Sequence, residues 1–304
     1  MINRQPDISI ITVNYNGFPD TCEMLRSIKQ HVKSCSYEII VVDNGSYQDE
    51  SVRLNEYFPN LRTIRSNRNL GFAGGNNLGI RQAKGKYILL LNNDTLIKDD
   101  SLHYLCETLD THPKIGAVSP KIRFAHSPSY IQFAGFTPMG RYTLRNRSIG
   151  FNEPDQGQFD IPHNTAFLHG AAMLVRQEAI AKSGLMPEIY FLYYEEMDWC
   201  NRFLQQGFTL YYDPRCTIFH KESCTTGQNS PLKNFYLNRN RLLYAWRNRY
   251  GFSRYIALLY QLGIVIPKNC FIPLLKGNIS LSQAVFQGSI AFFRLKNKNA
   301  SYEY

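Results

Sequence analysis

Three apolar segments in the first hundred residues each end abruptly in polar residues. They read ISIITVNYNG (8–17), YEIIVVDNGS (37–46) and KYILLLNNDTL (86–96). Apolar runs without alternation are typical of parallel strands that are covered on both faces. Apolar residues at helical spacing over 20–31 and 76–83 predict helices between these strands. The order strand, helix, strand, helix, strand predicts a doubly wound, mainly parallel α/β sheet with right-handed crossovers.

The polar residues at the strand ends are candidate site residues, because ligands of open α/β sheets gather beyond the carboxyl ends of the strands. These residues are Thr12 and Asn14 after the first strand, Asp43 after the second, and Asn92, Asn93 and Asp94 after the third. From the residues alone, an Asx turn at Asn93 and Asp94 explains the last group equally well.

The glycine-rich segment NLGFAGGNNLG (69–79) contains Asn76, a further candidate. It is not a dinucleotide fingerprint, because the turn after the first strand has no G-x-G-x-x-G, and an NAD dehydrogenase is therefore disfavoured. Glycines before a helix can let the backbone approach a sugar or a phosphate closely. The alternative is a tight turn, favoured more at Gly74 than at Gly75.

Eight short motifs follow one another along the chain. They are TVNYN, VVDNGS, NLGFAGGNN, LLLNNDT, HGAAMLV, YYEEMDWCNR, FHKES and YLNRNRLLY. In this order and spacing the chain resembles family 2 glycosyltransferases, notably the bacterial rhamnosyltransferase-like branch, over residues 8–250. The resemblance implies a GT-A fold and an inverting transfer of a sugar from a nucleoside diphosphate to an acceptor hydroxyl, usually with Mg²⁺ or Mn²⁺.

The resemblance also implies a metal site at Asp94 and His220. A divalent cation there would spread the charge of the departing diphosphate. Most relatives carry Asp-x-Asp where this chain has Asn-Asn-Asp, which leaves one carboxylate and predicts weaker metal binding. For His220 the alternative is a partly buried cap on its strand. Residues 223–227 fit a loop that covers the diphosphate.

Residues 190–200 (YFLYYEEMDWC) place three carboxylates among aromatic residues. Burial disfavours an ionised carboxylate, so the cluster should contain a group of raised pKa that could act as a general base. Of Glu195 and Glu196, the resemblance assigns the base to Glu196, where relatives have Asp. The alternative is that these acidic residues only mark the start of a helix, where the helix dipole stabilises negative charge. Asp198 is predicted to pair with Arg202 four residues later.

The resemblance places Asp43 near the nucleobase or ribose of the donor, in a nucleoside pocket that also includes Thr12 and Asn14. A carboxylate can accept a hydrogen bond from the imide N–H of uracil or thymine, which cytosine lacks, so a UDP- or dTDP-sugar is favoured. Gly170, in the HGAA segment, would line the donor sugar and the acceptor. Arg239, of an Arg-Asn pair, would face the donor.

The net charge of +10 lies in the C-terminal quarter of the chain. Residues 1–227 carry 23 Lys or Arg and 23 Asp or Glu, whereas residues 228–304 carry 11 and one. The chain is therefore divided into a catalytic domain, 1–227, and a basic, aromatic-rich helical extension, 228–304. Its aromatic and basic residues, beside apolar stretches at 256–266 and 271–275, suit the headgroup region of an anionic membrane.

Neither apolar stretch alone is long enough to span a membrane. A helical cap packed on the catalytic domain is an equal alternative for the start of the extension. Single-stranded nucleic acid is disfavoured as a partner, because no RNA-binding fingerprint is present. Residues 124–163, weakly patterned, are either an acceptor-side flap or a surface excursion.

Seven scattered cysteines and no long apolar N-terminal segment predict a protein of the reducing cytoplasm. The resulting prediction is an enzyme on the inner face of a bacterial membrane that builds a surface polysaccharide on a lipid-linked glycan acceptor. The alternative is a non-catalytic protein of the same fold that binds a nucleotide sugar or a glycan. Only Asn92 and the Glu-for-Asp change at Glu196 favour it.

Overall fold

The computed structural model describes residues 5–59, 61–221 and 230–299, without the side chains of 296–299. The chain divides into two compact units. Of the described residues, the first unit comprises those in 5–138, 147–191 and 195–221, and the second those in 139–146, 192–194 and 230–299. The boundary predicted at 227/228 and the predicted diphosphate loop at 223–227 lie outside the described residues. The sequence did not indicate that 139–146 and 192–194 belong with the C-terminal residues.

The first unit is built on one mixed sheet. Its strands are β1 (Ile8–Asn14), β2 (Tyr37–Asp43), β3 (Arg62–Arg65), β4 (Tyr87–Leu91), β5 (Thr95–Ile97), β6 (Ile115–Phe124), β7 (Tyr130–Phe133), β8 (Glu153–Pro154), β9 (His163–Asn164), β10 (Ala172–Arg176) and β11 (Thr209–His220). The order across the sheet is β3-β2-β1-β4-β10-β6-β11-β5. The first four strands in this order are parallel, as predicted, whereas β10 runs antiparallel to both of its neighbours. All five residues of β4 are buried, as its unbroken apolar run predicts.

Six α-helices accompany the sheet in the described part of this unit. They are α1 (Phe18–His31), α2 (Glu50–Tyr57), α3 (Gly71–Ile80), α4 (Leu102–Thr111), α5 (Gln177–Ser183) and α6 (Glu195–Gln205). The glycine-rich segment is helical from Gly71, so the tight turn considered at Gly74 is wrong. Its glycines permit close packing on β1, since a Cβ on Gly75 would lie 2.8 Å from Val13 and one on Gly79 would lie 2.4 Å from Ile11.

Residues 124–163 form no single flap. Within this range β7 pairs with β6, and β8 pairs with β7, so part of it extends the sheet. Another part, 139–146, belongs to the second unit. There Arg249 donates hydrogen bonds from its guanidinium to the carbonyl oxygens of 139–141, and Gln261 donates from Nε2 to the carbonyl oxygen of Thr143 at 2.9 Å.

The second unit is helical. It contains α7 (Pro231–Asn248), α8 (Gly251–Tyr260), a π-helical turn (Gln261–Val265), α9 (Ile266–Leu275) and α10 (Ile279–Asn299). Helix α10 packs along α7 and α9. The π-helical turn joins the two apolar stretches that were considered separately from the sequence. Joined in this way, Gly251–Leu275 is a 25-residue helical segment that could cross a membrane by length and composition alone, the single such segment in the described chain.

The six cysteines in the described residues are free thiols, and Cys224 lies outside those residues. Burial raises the pKa of the Cys106 and Cys200 thiols to about 12. Both therefore stay protonated at neutral pH and act as small apolar side chains in the core.

Candidate active site

The structure brings together the side chains of Asp94 and His220. Strand β5 pairs antiparallel with the end of β11, so that Thr95 lies opposite His220. This register places the residue just before β5 beside the last residue of β11. The Nε2 atom of His220 lies 3.1 Å from Oδ1 of Asp94, and both side chains are largely buried.

Both facing atoms carry lone pairs when the imidazole of His220 is neutral, the form in which histidine binds a metal. The Nδ1 atom of His220 lies 2.9 Å from Oε1 of Gln132, a carbonyl oxygen that can only accept, so the hydrogen-bond network assigns the proton of the neutral ring to Nδ1. The remaining nitrogen, Nε2, then presents its lone pair to Asp94. Oδ1 of Asp94 is buried and accepts no hydrogen bond of acceptable geometry. A buried pair of this kind needs a positive charge beside it.

A divalent cation fits this pair. Neighbouring ligand atoms of an octahedral ion with bonds of about 2.1 Å lie about 3 Å apart. Two protein ligands leave the remaining positions for phosphate oxygens and water. Within the described ranges no group of three or more His, Cys, Asp or Glu side chains could hold a metal ion. The site would therefore need the diphosphate to complete the coordination.

The pair has two further neighbours, of which Gln132 was missed by the sequence analysis and His169 belongs to the HGAA segment. Gln132 lies on β7, in a stretch without clear periodicity, and nothing in the sequence marked it. The ring of His169 lies 6.0 Å from that of His220. Burial lowers the pKa of His169 to about 3, and the neighbouring His220 lowers it further to a smaller extent. The negative charge of Asp94 opposes this shift only in part. His169 is therefore neutral and adds no positive charge to the pair.

A hydrogen-bonded chain of side chains links the ends of β1 and β4. Asn93 donates to Thr21 (3.0 Å), Thr21 donates to Oδ1 of Asn14 (2.7 Å), and Nδ2 of Asn14 donates to Glu50 (2.7 Å). Glu50, which was also missed, accepts a further hydrogen bond from the backbone N–H of Gly17. Asn14 and Asn93 thus stabilise the strand ends, and the contacts predicted for them with the donor stay predictions.

Asp43 is fully buried at the end of β2. Its Oδ1 accepts from the backbone N–H of Ser46 at 3.0 Å, and its Oδ2 accepts from Arg65 at 2.8 Å. Because the side chain is fully buried, a nucleobase could reach this carboxylate only if neighbouring groups moved, and the predicted direct contact stays a prediction. The hydroxyl of Thr12, at the same edge of the sheet, is buried and has no hydrogen-bond partner.

The other candidates on the first unit have local roles. Nδ2 of Asn76 donates to the carbonyl oxygen of Phe72 within α3 at 3.0 Å. The carbonyl oxygen of Asn92 accepts from the backbone and the hydroxyl of Thr95, which forms a turn at the end of β4. A Cβ on Gly170 would make only ordinary contact with Phe72, at 3.8 Å. The donor contacts of these residues stay predictions.

Helix α6 begins at Glu195, so the acidic residues stand at a helix start. The residues before it include Phe191, Tyr193 and Tyr194, whose φ angles are 65°, 69° and 77°. Left-handed backbone costs a non-glycine residue on the order of 1–3 kcal/mol, and such strain clusters at functional sites. The start of this helix is therefore a conformation that the surrounding contacts must enforce.

The three carboxylates of this helix lie in different surroundings. Asp198 accepts from the hydroxyl of Tyr190 at 2.7 Å and from Nε of Arg202 at 3.1 Å, which confirms the predicted pairing. Glu195 is 2% exposed. Glu196 is half-buried. Of the two predicted base candidates, Glu196 is thus the one that solvent reaches more easily.

Arg239 lies on α7, in the second unit. Its Nε donates to Oδ1 of Asn240 at 2.8 Å, and its guanidinium carbon lies 4.7 Å from the ring centroid of Tyr236. Nδ2 of Asn240 donates to the carbonyl oxygens of Leu192 (2.7 Å) and Tyr193 (2.9 Å). The Arg-Asn pair therefore holds the strained backbone before α6, and the predicted contact of Arg239 with the donor stays a prediction.

Comparison with known families decides the classification. The sequence model of Glycosyl transferase family 2 matches residues 9–184, more than half of the chain. The chain belongs to glycosyl transferase family 2. This family 2 glycosyltransferase is 29% identical over 202 residues to the low-salt glycan biosynthesis hexosyltransferase Agl10 of Haloferax volcanii, a match that covers 64% of this chain and 61% of Agl10. It is 23% identical over 243 residues to the N-acetylglucosaminyl-diphospho-decaprenol L-rhamnosyltransferase of Mycobacterium tuberculosis, covering 73% of this chain and 78% of that protein.

Solved structures confirm the GT-A fold of this family 2 glycosyltransferase. GalNAc-T7, crystallised with UDP, GalNAc and Mn²⁺, matches with a TM-score of 0.63 at 15% identity, over 88% of this chain and 57% of that one. The mannosyltransferase PcManGT of Pyrobaculum calidifontis, in complex with GDP-Man and Mn²⁺, matches with a TM-score of 0.56 at 16% identity, over 99% and 81%. At these identities the likeness concerns the fold alone.

Proposed function

We propose that this glycosyltransferase moves a sugar, with inversion, from a UDP- or dTDP-sugar to a hydroxyl of a glycan acceptor, with the help of Mg²⁺ or Mn²⁺ held by Asp94 and His220. The observation that carries the proposal is the buried pair of Asp94 and His220, whose Oδ1 and Nε2 atoms lie 3.1 Å apart. It is supported by GalNAc-T7 and PcManGT, which share the fold and whose structures hold Mn²⁺ with a nucleotide or a nucleotide sugar.

In this proposal the cation neutralises the charge that develops on the departing diphosphate. Glu196 takes the proton of the acceptor hydroxyl while its oxygen attacks C1 from the face opposite the diphosphate. The partial exposure of Glu196 suits contact with an acceptor, whereas Glu195 lies deeper. Asn240 contributes by holding the backbone that leads into α6.

The proposed acceptor is a lipid-linked glycan in the synthesis of a bacterial surface polysaccharide. The mycobacterial relative is named for rhamnosyl transfer to N-acetylglucosaminyl-diphospho-decaprenol, a lipid-linked glycan. The 11 basic residues against one acidic residue in 228–304 support peripheral contact with the inner face of an anionic membrane. No contact with nucleic acid is proposed.

Calorimetric titration of UDP and dTDP, with and without Mn²⁺, tests the metal site. Loss of a residue that only supports a metal ligand typically lowers metal affinity 10–100-fold. Asp94 is the proposed ligand itself, so Asp94→Ala should lower Mn²⁺-dependent nucleotide affinity by roughly tenfold or more. Asp99→Asn removes an exposed carboxylate five residues away and is the matched control. Equal affinities in Asp94→Ala and the wild type would contradict the assignment of Asp94 as a metal ligand.

A further inference from the structure

The segment from α8 to α9 has two unlike faces. One face is buried from α8 to the end of the π-helical turn, at Ser253, Ala257, Gln261 and Val265, which are spaced four residues apart. The other face, here called the apolar face, is exposed. It consists of Phe252, Tyr255, Leu259, Ile264, Phe271, Leu274 and Leu275. Large exposed apolar patches mark membrane or protein contact sites in otherwise soluble domains.

The buried face is attached to a polar segment of the same unit. Gln261, at the middle of the 25-residue segment, donates to the carbonyl oxygen of Thr143. Thr143 lies between Arg141 and Arg145. Just before α8, Arg249 donates to the carbonyl oxygen of Arg141 at 3.0 Å. Polar contacts therefore anchor one face of the helix at its centre and at its start.

These contacts disfavour a crossing of the bilayer, although the segment is long enough. A spanning orientation would place Gln261 near the middle of the hydrocarbon core and would bring the Thr143 backbone, with its flanking arginines, to the same depth. Charged residues and irregular backbone at that depth are strongly disfavoured unless protein or water surrounds them. An in-plane orientation leaves the buried face on the protein and presents the apolar face to lipid.

Basic residues lie within the segment and directly after it. Arg254 and Lys268 lie within the segment, Lys276 follows its end, and the described acidic residues are all outside 230–299. Cations beside an apolar strip are complementary to an anionic lipid surface. We propose that the Gly251–Leu275 segment lies in the plane of an anionic bilayer, with the apolar face in the boundary between headgroups and acyl chains. The proposal deepens the peripheral membrane contact of the proposed function, and it can be tested without nucleotide or acceptor.

Depth-dependent tryptophan quenching in anionic phosphatidylglycerol vesicles tests this orientation on the full chain. Phe252→Trp, Ile264→Trp and Leu275→Trp place an indole at the start, middle and end of the apolar face, where the native side chains are 79%, 56% and 71% exposed. The vesicles carry brominated lipids with bromine near the headgroup or near the chain end. Val52→Trp on α2, where Val52 is 57% exposed, is the matched control.

We expect all three variants to be quenched mainly by shallow bromine, to similar extents, after subtraction of the wild-type signal of Trp199 and Trp246. Deep quenching at position 264 with shallow quenching at 252 and 275 would overturn the in-plane orientation in favour of a spanning helix. No quenching at any position, with a dimer in analytical ultracentrifugation, would show that a second copy covers the apolar face instead.

A second pair of variants separates lipid contact from misfolding. Leu259→Glu should weaken sedimentation with anionic vesicles at least tenfold, while Val52→Glu leaves it unchanged, and both should retain the wild-type melting temperature. Wild-type binding should also weaken as salt rises. Equal binding by the two glutamate variants would contradict the proposal. Nucleotide titration in the absence of vesicles shows independently whether the proposed function holds.

Discussion

Two adjacent glutamates begin α6 in unlike surroundings, since Glu195 is buried and Glu196 is half-buried. Glu196→Gln preserves the shape of the side chain and removes its capacity to accept a proton. General-base catalysis contributes roughly 10²–10⁴-fold, so we expect sugar transfer at saturating donor to fall by that factor while donor affinity stays unchanged. Glu195→Gln is the matched variant one residue earlier, and its rate of sugar transfer should fall less.

The opposite result has a definite meaning. If Glu195→Gln abolishes transfer and Glu196→Gln does not, the base is Glu195. If neither variant loses activity, the cluster has no part in proton transfer. Measuring transfer and donor binding on the same preparations separates these cases from unfolding.

Single residues also show what the sequence could and could not predict about the site. Asp94 was predictable because the apolar run of β4 ends there, and His220 because its motif resembles that of relatives. Gln132, which orients the His220 ring, was not predictable, since no pattern in its own segment requires it. The ion pair of Asp43 with Arg65 was not predictable either, since only the pairing of β2 with β3 reveals this partner.

At the scale of elements, α3 depends on the absence of side chains where it meets β1. Gly79→Ala would place a Cβ 2.4 Å from Cγ2 of Ile11, in a fully buried contact. Overpacking of this kind costs about 1–3 kcal/mol, so we expect the free energy of unfolding to fall by that amount in urea denaturation.

A matched glycine provides the control. Gly263, also helical, has nothing within 4 Å of the position of its missing Cβ. Gly263→Ala should be neutral or should stabilise the protein by about 0.5–1 kcal/mol, because alanine loses less backbone entropy in a helix. Equal effects of the two substitutions would mean that close packing of α3 on β1 does not limit stability.

The same helix explains an error in the prediction from sequence. Glycine has a poor helix propensity, so residues 69–75 favoured a turn, and the helix was expected to begin at 76. Tertiary packing on β1 overrides that preference, and α3 begins at Gly71. The second unit also differs from expectation. Its two apolar stretches were treated as separate, whereas the π-helical turn at Gln261–Val265 joins them into one continuous helical segment.

At the scale of the whole molecule, charge and chemistry are divided along the chain. Residues 1–227 have equal numbers of basic and acidic side chains and hold the candidate metal site, whereas residues 228–304 carry the entire net charge. Alternating apolar runs and helices were enough to predict the parallel half of the sheet. The antiparallel insertion of β10 was not predictable, because strand order depends on contacts between residues far apart in sequence.

The central claim is metal-dependent glycosyl transfer at Asp94 and His220. Hydrolysis of a panel of UDP- and dTDP-sugars tests this claim most directly. Without acceptor and with Mn²⁺, we expect slow release of nucleoside diphosphate from at least one donor. Release should stop with a chelator, return with added Mn²⁺, and be absent in Asp94→Ala but normal in Asp99→Asn. Nucleotide binding without release from any donor would identify a non-catalytic binding protein, and release that persists in the chelator would contradict the metal site.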